Sequence, residues 1–153
     1  MKNKKETKSV LYAEASYGEE EINAAINVLR NQKHNLVTSH NVEEFEKQVS
    51  NIFNKKYGLM VNSGSSANLI AIESLSLPKG GEVITPTLTF STTVAPIVQS
   101  NLIPVFVDAE LSTLQIDLNL IEQCISEKTV AIMVPNLIGN LPDWVKLKQI
   151  ADK

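Results

Sequence analysis

The sequence predicts an α/β fold with a mainly parallel sheet and crossover helices. Three observations carry this. Short apolar runs of strand length alternate with stretches of helical period, and turn chemistry such as Pro78-Lys79-Gly80-Gly81 separates them. Between Val61 and Leu69 an expected strand end runs straight into a helix start. Strands that alternate with helices call for a sheet covered on both faces, because each crossover returns the chain to the same end.

Taken in order, Ser16-Tyr17-Gly18-Glu19 has the form of a capping box. Ile22, Ala25, Ile26 and Leu29 then recur on one face, so the first helix is expected from about Glu19 to Asn31. Gln32 to His40 is polar and irregular. Asn41, with Glu44 three residues on, opens a second helix whose expected buried stripe is Phe45, Val49, Ile52 and Phe53. Tyr57 to Val61 reads as a short buried strand, followed by a helix carrying Leu69, Ile72 and Leu75 that Pro78 to Gly81 ends. Val83 to Thr85 is the next strand, Phe90 to Ser100 a helix, and Ile103 to Val107 a strand with Pro104 near its start. Leu118 to Ile125 follows as a short helix with Asp117 as N-cap, then the strand Val130 to Val134. The loop Pro135 to Asp143 leads into a last helix with Leu147, Ile150 and Ala151 on one face.

At 153 residues the chain suits one compact unit, divided here into a tail, 1–15, and a domain, 16–153. A net charge of -3 with interspersed signs provides no basic face for nucleic acid and no patch for an anionic membrane. The basic run Lys2 to Lys8 reads as a solvated tail. It resembles a signal-peptide n-region, but no apolar h-region follows, and no stretch is long enough to span a bilayer. Cys124 is alone, which fits a reducing compartment and a cytoplasmic location.

The stretch Asn62-Ser63-Gly64-Ser65-Ser66-Ala67 holds the main candidate site. The first turn of a helix has N–H groups without internal partners and partial positive charge, so a phosphate is stabilised there by geometry. Gly64 lets a ligand approach the backbone, and Ser63, Ser65 and Ser66 add hydroxyl donors. The same residues also cap an ordinary helix, and local composition alone favours that reading. The stretch matches neither a dinucleotide fingerprint, nor a nucleoside-triphosphate loop, nor a nucleophile elbow.

Other polar residues suggest little chemistry. His34 and His40 have no second ligand at metal spacing, so no metal is expected. Asp108 at a strand end has the position of a general base, but a turn-capping carboxylate is the commoner case. The lysines lie in polar turns or on helix surfaces, where free solvation makes a poor nucleophile.

The order Gly-Ser-Ser-Ala-Asn-Leu at 64–69, Glu82-Val-Ile-Thr-Pro-Thr-Leu-Thr-Phe90, and Pro104-Val-Phe-Val-Asp108 resembles the DegT-type sugar-nucleotide aminotransferases. These are pyridoxal-phosphate enzymes of fold type I. The resemblance runs from about Tyr17 to the end and takes in Glu43-Glu-Phe-Glu46 and Lys128-Thr-Val-Ala-Ile132. It implies that the chain is the incomplete N-terminal part of that fold's large domain. Phe90 to Pro96 and Asn101 to Pro104 look most like the branch of CDP-4-keto-6-deoxyglucose-3-dehydrases of lipopolysaccharide sugar synthesis.

The resemblance implies cofactor-binding roles for Gly64, Ser65 and Ser66 at the phosphate of pyridoxal phosphate, or of its pyridoxamine form, and for Phe90 stacked on the ring. On its own residues Phe90 reads as a core aromatic at a helix start. Asn136 stands where many relatives have a His, and is expected to hydrogen-bond cofactor or sugar. The expected function is amino transfer to a nucleotide-linked keto-sugar from an amino donor, in a homodimer when full length. Two alternatives stand beside it: a 3-dehydrase of the same fold, and a non-catalytic subunit that binds a phosphate ligand or a partner chain. The family's Schiff-base Lys, or the His that replaces it, comes later in the family's order than Lys153. No catalytic residue is therefore assigned, and the chain by itself is expected to be catalytically silent, with an open sheet edge.

Overall fold

The computed structural model describes Leu11 and residues 13–153, so the basic run Lys2 to Lys8 lies outside the described residues. The chain divides into two compact units that meet in sequence at Met60 and Val61.

The first unit carries helices α1 (Glu19–Asn31) and α2 (His40–Ile52). The N-cap of α1 is Gly18, not Ser16. The Glu21 carboxylate accepts from the Gly18 N–H at 2.7 Å, and a glycine has no hydroxyl to return the bond. That backbone bond holds the Glu21 carboxyl below its ordinary pKa. Helix α2 starts earlier than Asn41 predicts, because the N–H groups of Val42 and Glu43 both bond to the Ser39 carbonyl and close the first turn there. The expected buried stripe is not buried: Phe45, Ile52 and Phe53 are exposed, Val49 is half-buried, and no residue of α1 is buried. Two helices without a sheet in their own unit offer an amphipathic face nothing to pack on.

Tyr57 to Val61, expected as a strand, pairs with none. Its backbone is committed elsewhere. The Met60 N–H donates to Glu46 Oε1 at 2.7 Å, and Gly58 sits so close to α2 that a Cβ there would lie 2.6 Å from the Glu46 carbonyl oxygen. Tyr57 and Leu59 are exposed.

The second unit is α/β, as predicted. Its elements are α3 (Gly64–Ser74), β1 (Glu82–Pro86), α4 (Ser91–Gln99), β2 (Ile103–Val107), α5 (Leu118–Ile121), β3 (Thr129–Ile132) and α6 (Trp144–Ala151). Three-residue 3-10 turns follow α5 at Glu122–Cys124 and precede α6 at Leu137–Gly139. The strands form one parallel sheet in the order β2-β1-β3, with Ile84 opposite Val105 on one side and Ile132 on the other.

Alternation along β1 sends its side chains into two cores. Val83 packs with Ile72 of α3, Ile97 of α4 and Leu102, whereas Ile84 packs with Val107, Ile116, Ile121, Leu147 and Ile150 under α5 and α6. Both faces of the sheet are therefore covered.

Local details depart from expectation: β1 extends beyond Val83 to Thr85 at both ends, α4 begins after Phe90 and ends before Ser100, and β3 stops at Ile132 short of Val134. Helix α3 has ended before Pro78, with Ser76 at positive φ and Leu75 exposed; Pro78 to Gly81 instead forms a separate turn, in which the Gly81 N–H bonds to the Pro78 carbonyl and Gly80 takes φ 78°. Helix α5 is a single turn, N-capped as predicted by Asp117 accepting from the Asn119 N–H at 2.9 Å, and it tightens to 3-10 at Glu122. In α6, Leu147 and Ile150 are buried but Ala151 is exposed.

Candidate functional site

The N-terminus of α3 is built by Ser63. Its extended backbone, φ -161° and ψ 158°, places Oγ to accept from the Ser66 N–H at 3.1 Å, while its carbonyl accepts from Ala67. The Ser66 hydroxyl turns back to Asn62 Oδ1 at 2.7 Å. The first turn is thus partly satisfied from within. The N–H groups of Gly64 and Ser65 have no partner among the described residues, and Ser65 Oγ makes no hydrogen bond. An ideal Cβ at Gly64 would meet nothing within 4 Å, so the space in front of this turn is open. Two N–H groups, one hydroxyl and the dipole of an eleven-residue helix face it.

Two hydrogen bonds bring this turn next to the start of α4. Asn68 Nδ2 donates to the Thr92 carbonyl at 3.1 Å, one turn into α3, and Ser100 Oγ donates to Glu73 Oε1 at 2.5 Å at the far end. The helices therefore lie side by side in the same direction, with both N-termini at one end. Since α4 follows β1 through Thr87 to Phe90, that end is the carboxyl end of the sheet.

Phe90 is the N-cap residue of α4 and its side chain is 69% exposed. It is not a core aromatic. Its ring stands in solvent at the carboxyl end of β1. The hydroxyls of Thr85, fully buried within β1, and of Thr89, in the loop before Phe90, have no partner among the described residues.

Asn136 follows β3, also at the carboxyl end of the sheet, and is exposed. No hydrogen bond among the described residues joins it to α3 or Phe90. Its loop is tied instead to the segment after β2: Gln115 Nε2 donates to the Leu137 carbonyl at 3.2 Å and Asn140 Nδ2 to the Thr113 carbonyl at 2.7 Å. Asp108 is a turn carboxylate, accepting from the Ala109 N–H at 2.8 Å and from Thr87 Oγ1 at 3.4 Å. Among the described residues no cluster of three His, Cys, Asp or Glu side chains could hold a metal.

Of the second unit's lysines, Lys146, in the first turn of α6, stands on the carboxyl side of the sheet. Lys79 and Lys128 precede β1 and β3 and so stand at the amino end of the sheet. Lys146 Nζ donates to Asn119 Oδ1, Lys148 pairs with Asp152, and Lys153 pairs with Glu122. Sequence reasoning passed over Asn68, although Pro96 inside a helix was a usable signal, since it leaves the carbonyl four residues earlier in need of another donor. Gln115 and Asn140 carried no such signal, because their partners are backbone carbonyls far along the chain.

Residues 15–153 match the DegT/DnrJ/EryC1/StrS aminotransferase family. The lipopolysaccharide biosynthesis protein RfbH of Salmonella typhimurium is 41% identical over 126 residues, which are 77% of this chain and 29% of that protein. A GDP-4-keto-6-deoxy-D-mannose 3-dehydratase of Yersinia pseudotuberculosis is 37% identical over 146 residues, 92% of this chain and 37% of that one. Among solved structures, the E. coli GDP-4-keto-6-deoxy-D-mannose-3-dehydratase with bound hydrated PLP superposes with a TM-score of 0.84 at 33% identity, covering 92% of this chain and 37% of that chain. The aminotransferase from Psychrobacter cryohalolentis gives 0.83 at 27% identity, covering 90% and 35%. The chain spans about a third of the length of these relatives.

Proposed function

Because the chain belongs to the DegT/DnrJ/EryC1/StrS aminotransferase family, we propose that it forms the cofactor-phosphate and ring-binding part of a pyridoxal-phosphate enzyme acting on a nucleotide-linked keto-sugar. The observation that carries this is the pairing of the open first turn of α3 with the exposed Phe90 ring at one end of the sheet. The backbone N–H groups of Gly64 and Ser65, with Ser65 Oγ, would hold the phosphate. Ser66 contributes by fixing the turn through Ser63 and Asn62. Phe90 would cover one face of the ring. When bound, such a cofactor supplies an electron sink for bond breaking at carbon.

Amino transfer to the sugar, from an amino donor and within a homodimer, is the first reaction this arrangement serves. A second reading is 3-dehydration of the sugar. Among the solved structures it is favoured by 33% identity to the 3-dehydratase against 27% to the aminotransferase. The phosphate and ring contacts are the same for both. The setting is the synthesis of deoxy- and amino-sugars of lipopolysaccharide, in the cytoplasm, in keeping with the lone Cys124; no helix among the described residues is long and apolar enough to cross a membrane.

The test is a titration of Met1–Lys153 with pyridoxal phosphate, followed by cofactor absorbance, with pyridoxal as control. Saturable binding of the phosphate ester that inorganic phosphate displaces, together with much weaker binding of pyridoxal, is expected. Equal binding of both would remove the phosphate from the account.

A further inference from the structure

The loop that carries Asn136 is held by a side chain that is itself almost out of solvent. Gln115 is 4% exposed. Its Nε2 donates to the Leu137 carbonyl, while its Oε1 is buried without a partner. Burying an amide with half its capacity unused is unfavourable, and an apolar side chain of similar volume would fill the space without that cost. Packing alone therefore does not account for a glutamine at 115. Its one bond does something a leucine could not: it fixes the carbonyl at the centre of a turn in which Ile138 takes φ 51° and Gly139 φ 82°.

The anchor is double. Asn140, at the other end of the same turn, donates to the Thr113 carbonyl at 2.7 Å. Thr113 and Gln115 belong to the segment after β2, which is closed by Glu110 N–H bonding to the Gln115 carbonyl, by Asp117 N–H bonding to the Asp108 carbonyl, and by the Ala109–Ile116 bridge. The loop after β3 is thereby fastened from both sides to the loop after β2, at the carboxyl end of the sheet.

We infer that Gln115, assisted by Asn140, is a positioning residue that sets where Asn136 stands relative to the bound cofactor. The inference rests on the cofactor reading of the site. Gln115 does not touch the ligand. It acts through the Leu137 carbonyl, and its loss lets the turn relax so that Asn136 no longer meets cofactor or sugar.

The test measures the affinity of Met1–Lys153 for pyridoxal phosphate, and the unfolding midpoint, in the parent, Gln115→Leu, Asn136→Ala and the double variant. Gln115→Leu should keep the midpoint near that of the parent and weaken binding about fivefold, the scale of one lost hydrogen bond. Asn136→Ala should weaken it by a similar factor, and the double variant no more than either alone. Asn140→Ala attacks the same anchor from its other end and should also weaken binding. Parent-like affinity in Gln115→Leu, or strictly additive losses in the double variant, would overturn the inference. Parent-like affinity in Asn136→Ala, with Ser65→Asp abolishing binding, would overturn it and leave the phosphate site standing. Unchanged affinity in Ser65→Asp would bring down the cofactor reading, and this inference with it.

Discussion

Asn68 hydrogen-bonds the Thr92 carbonyl at 3.1 Å, the carbonyl that Pro96, four residues later in α4, has no N–H to satisfy. A proline inside a helix would ordinarily leave that oxygen to water. Here the neighbouring helix fills the gap, and in doing so it aligns the two N-termini on which the candidate site depends.

Asn68→Leu should therefore cost about 1 kcal/mol of stability, the net value of one partly buried hydrogen bond. Pro96→Ala would supply the missing N–H from within α4. The cost of Asn68→Leu should be smaller in that background, and a double-mutant cycle by denaturant unfolding checks it. Equal costs in the two backgrounds would mean that the Thr92 carbonyl does not need Asn68.

Phe90→Ala should lower the affinity for pyridoxal phosphate about tenfold, the loss of a stacked aromatic contact and its area, with little change in the unfolding midpoint because the ring is 69% exposed. Phe90→Trp should bind as the parent does. A large loss of stability in Phe90→Ala without a change in binding would return the residue to a packing role.

The chain alone should carry no transamination or dehydration activity. Borohydride reduction in the presence of pyridoxal phosphate should trap no single preferred lysine, because Lys79 and Lys128 sit at the opposite end of the sheet and Lys146, Lys148 and Lys153 are engaged with Asn119, Asp152 and Glu122. Peptide mapping of the reduced protein reads this. One lysine labelled stoichiometrically would contradict it.

Helix α1 should lose its N-terminal restraint in acid. The Gly18 N–H bond depresses the Glu21 pKa in the folded state, so its contribution is complete above the ordinary value of 4.5 and fades as pH falls through the lower folded value. Amide chemical shifts of Gly18 and Glu21, followed below pH 4.5, should move together in the parent and not in Glu21→Gln. Parent shifts that stay constant in acid would rule the cap out.

Legibility in the sequence followed how local the cause was. The bounds of α1 and β2 and the Asp117 cap rest on neighbours within a turn, and they read correctly. The Phe45, Ile52 and Phe53 stripe also read correctly as amphipathic, but periodicity reports which face is apolar, not whether a partner covers it. Tyr57 to Val61 has the composition of a strand and lacks a ladder, because Gly58 and Met60 are spoken for by Glu46, a contact twelve and fourteen residues away. At the candidate site the start of α3 was legible. The division of labour within it was not: Ser63 takes the Ser66 N–H, which leaves Gly64 and Ser65 as the open donors.

That division leads to the most direct measurement, the affinity of Met1–Lys153 for pyridoxal phosphate in Ser65→Asp and Ser65→Ala. A carboxylate at 65 stands where the phosphate should bind and should reduce affinity by roughly a hundredfold or more, while Ser65→Ala loses one hydroxyl contact and should cost about fivefold. Helix α3 should persist in both, since its cap is Ser63. Parent-like affinity in Ser65→Asp would contradict the phosphate site and with it the central claim.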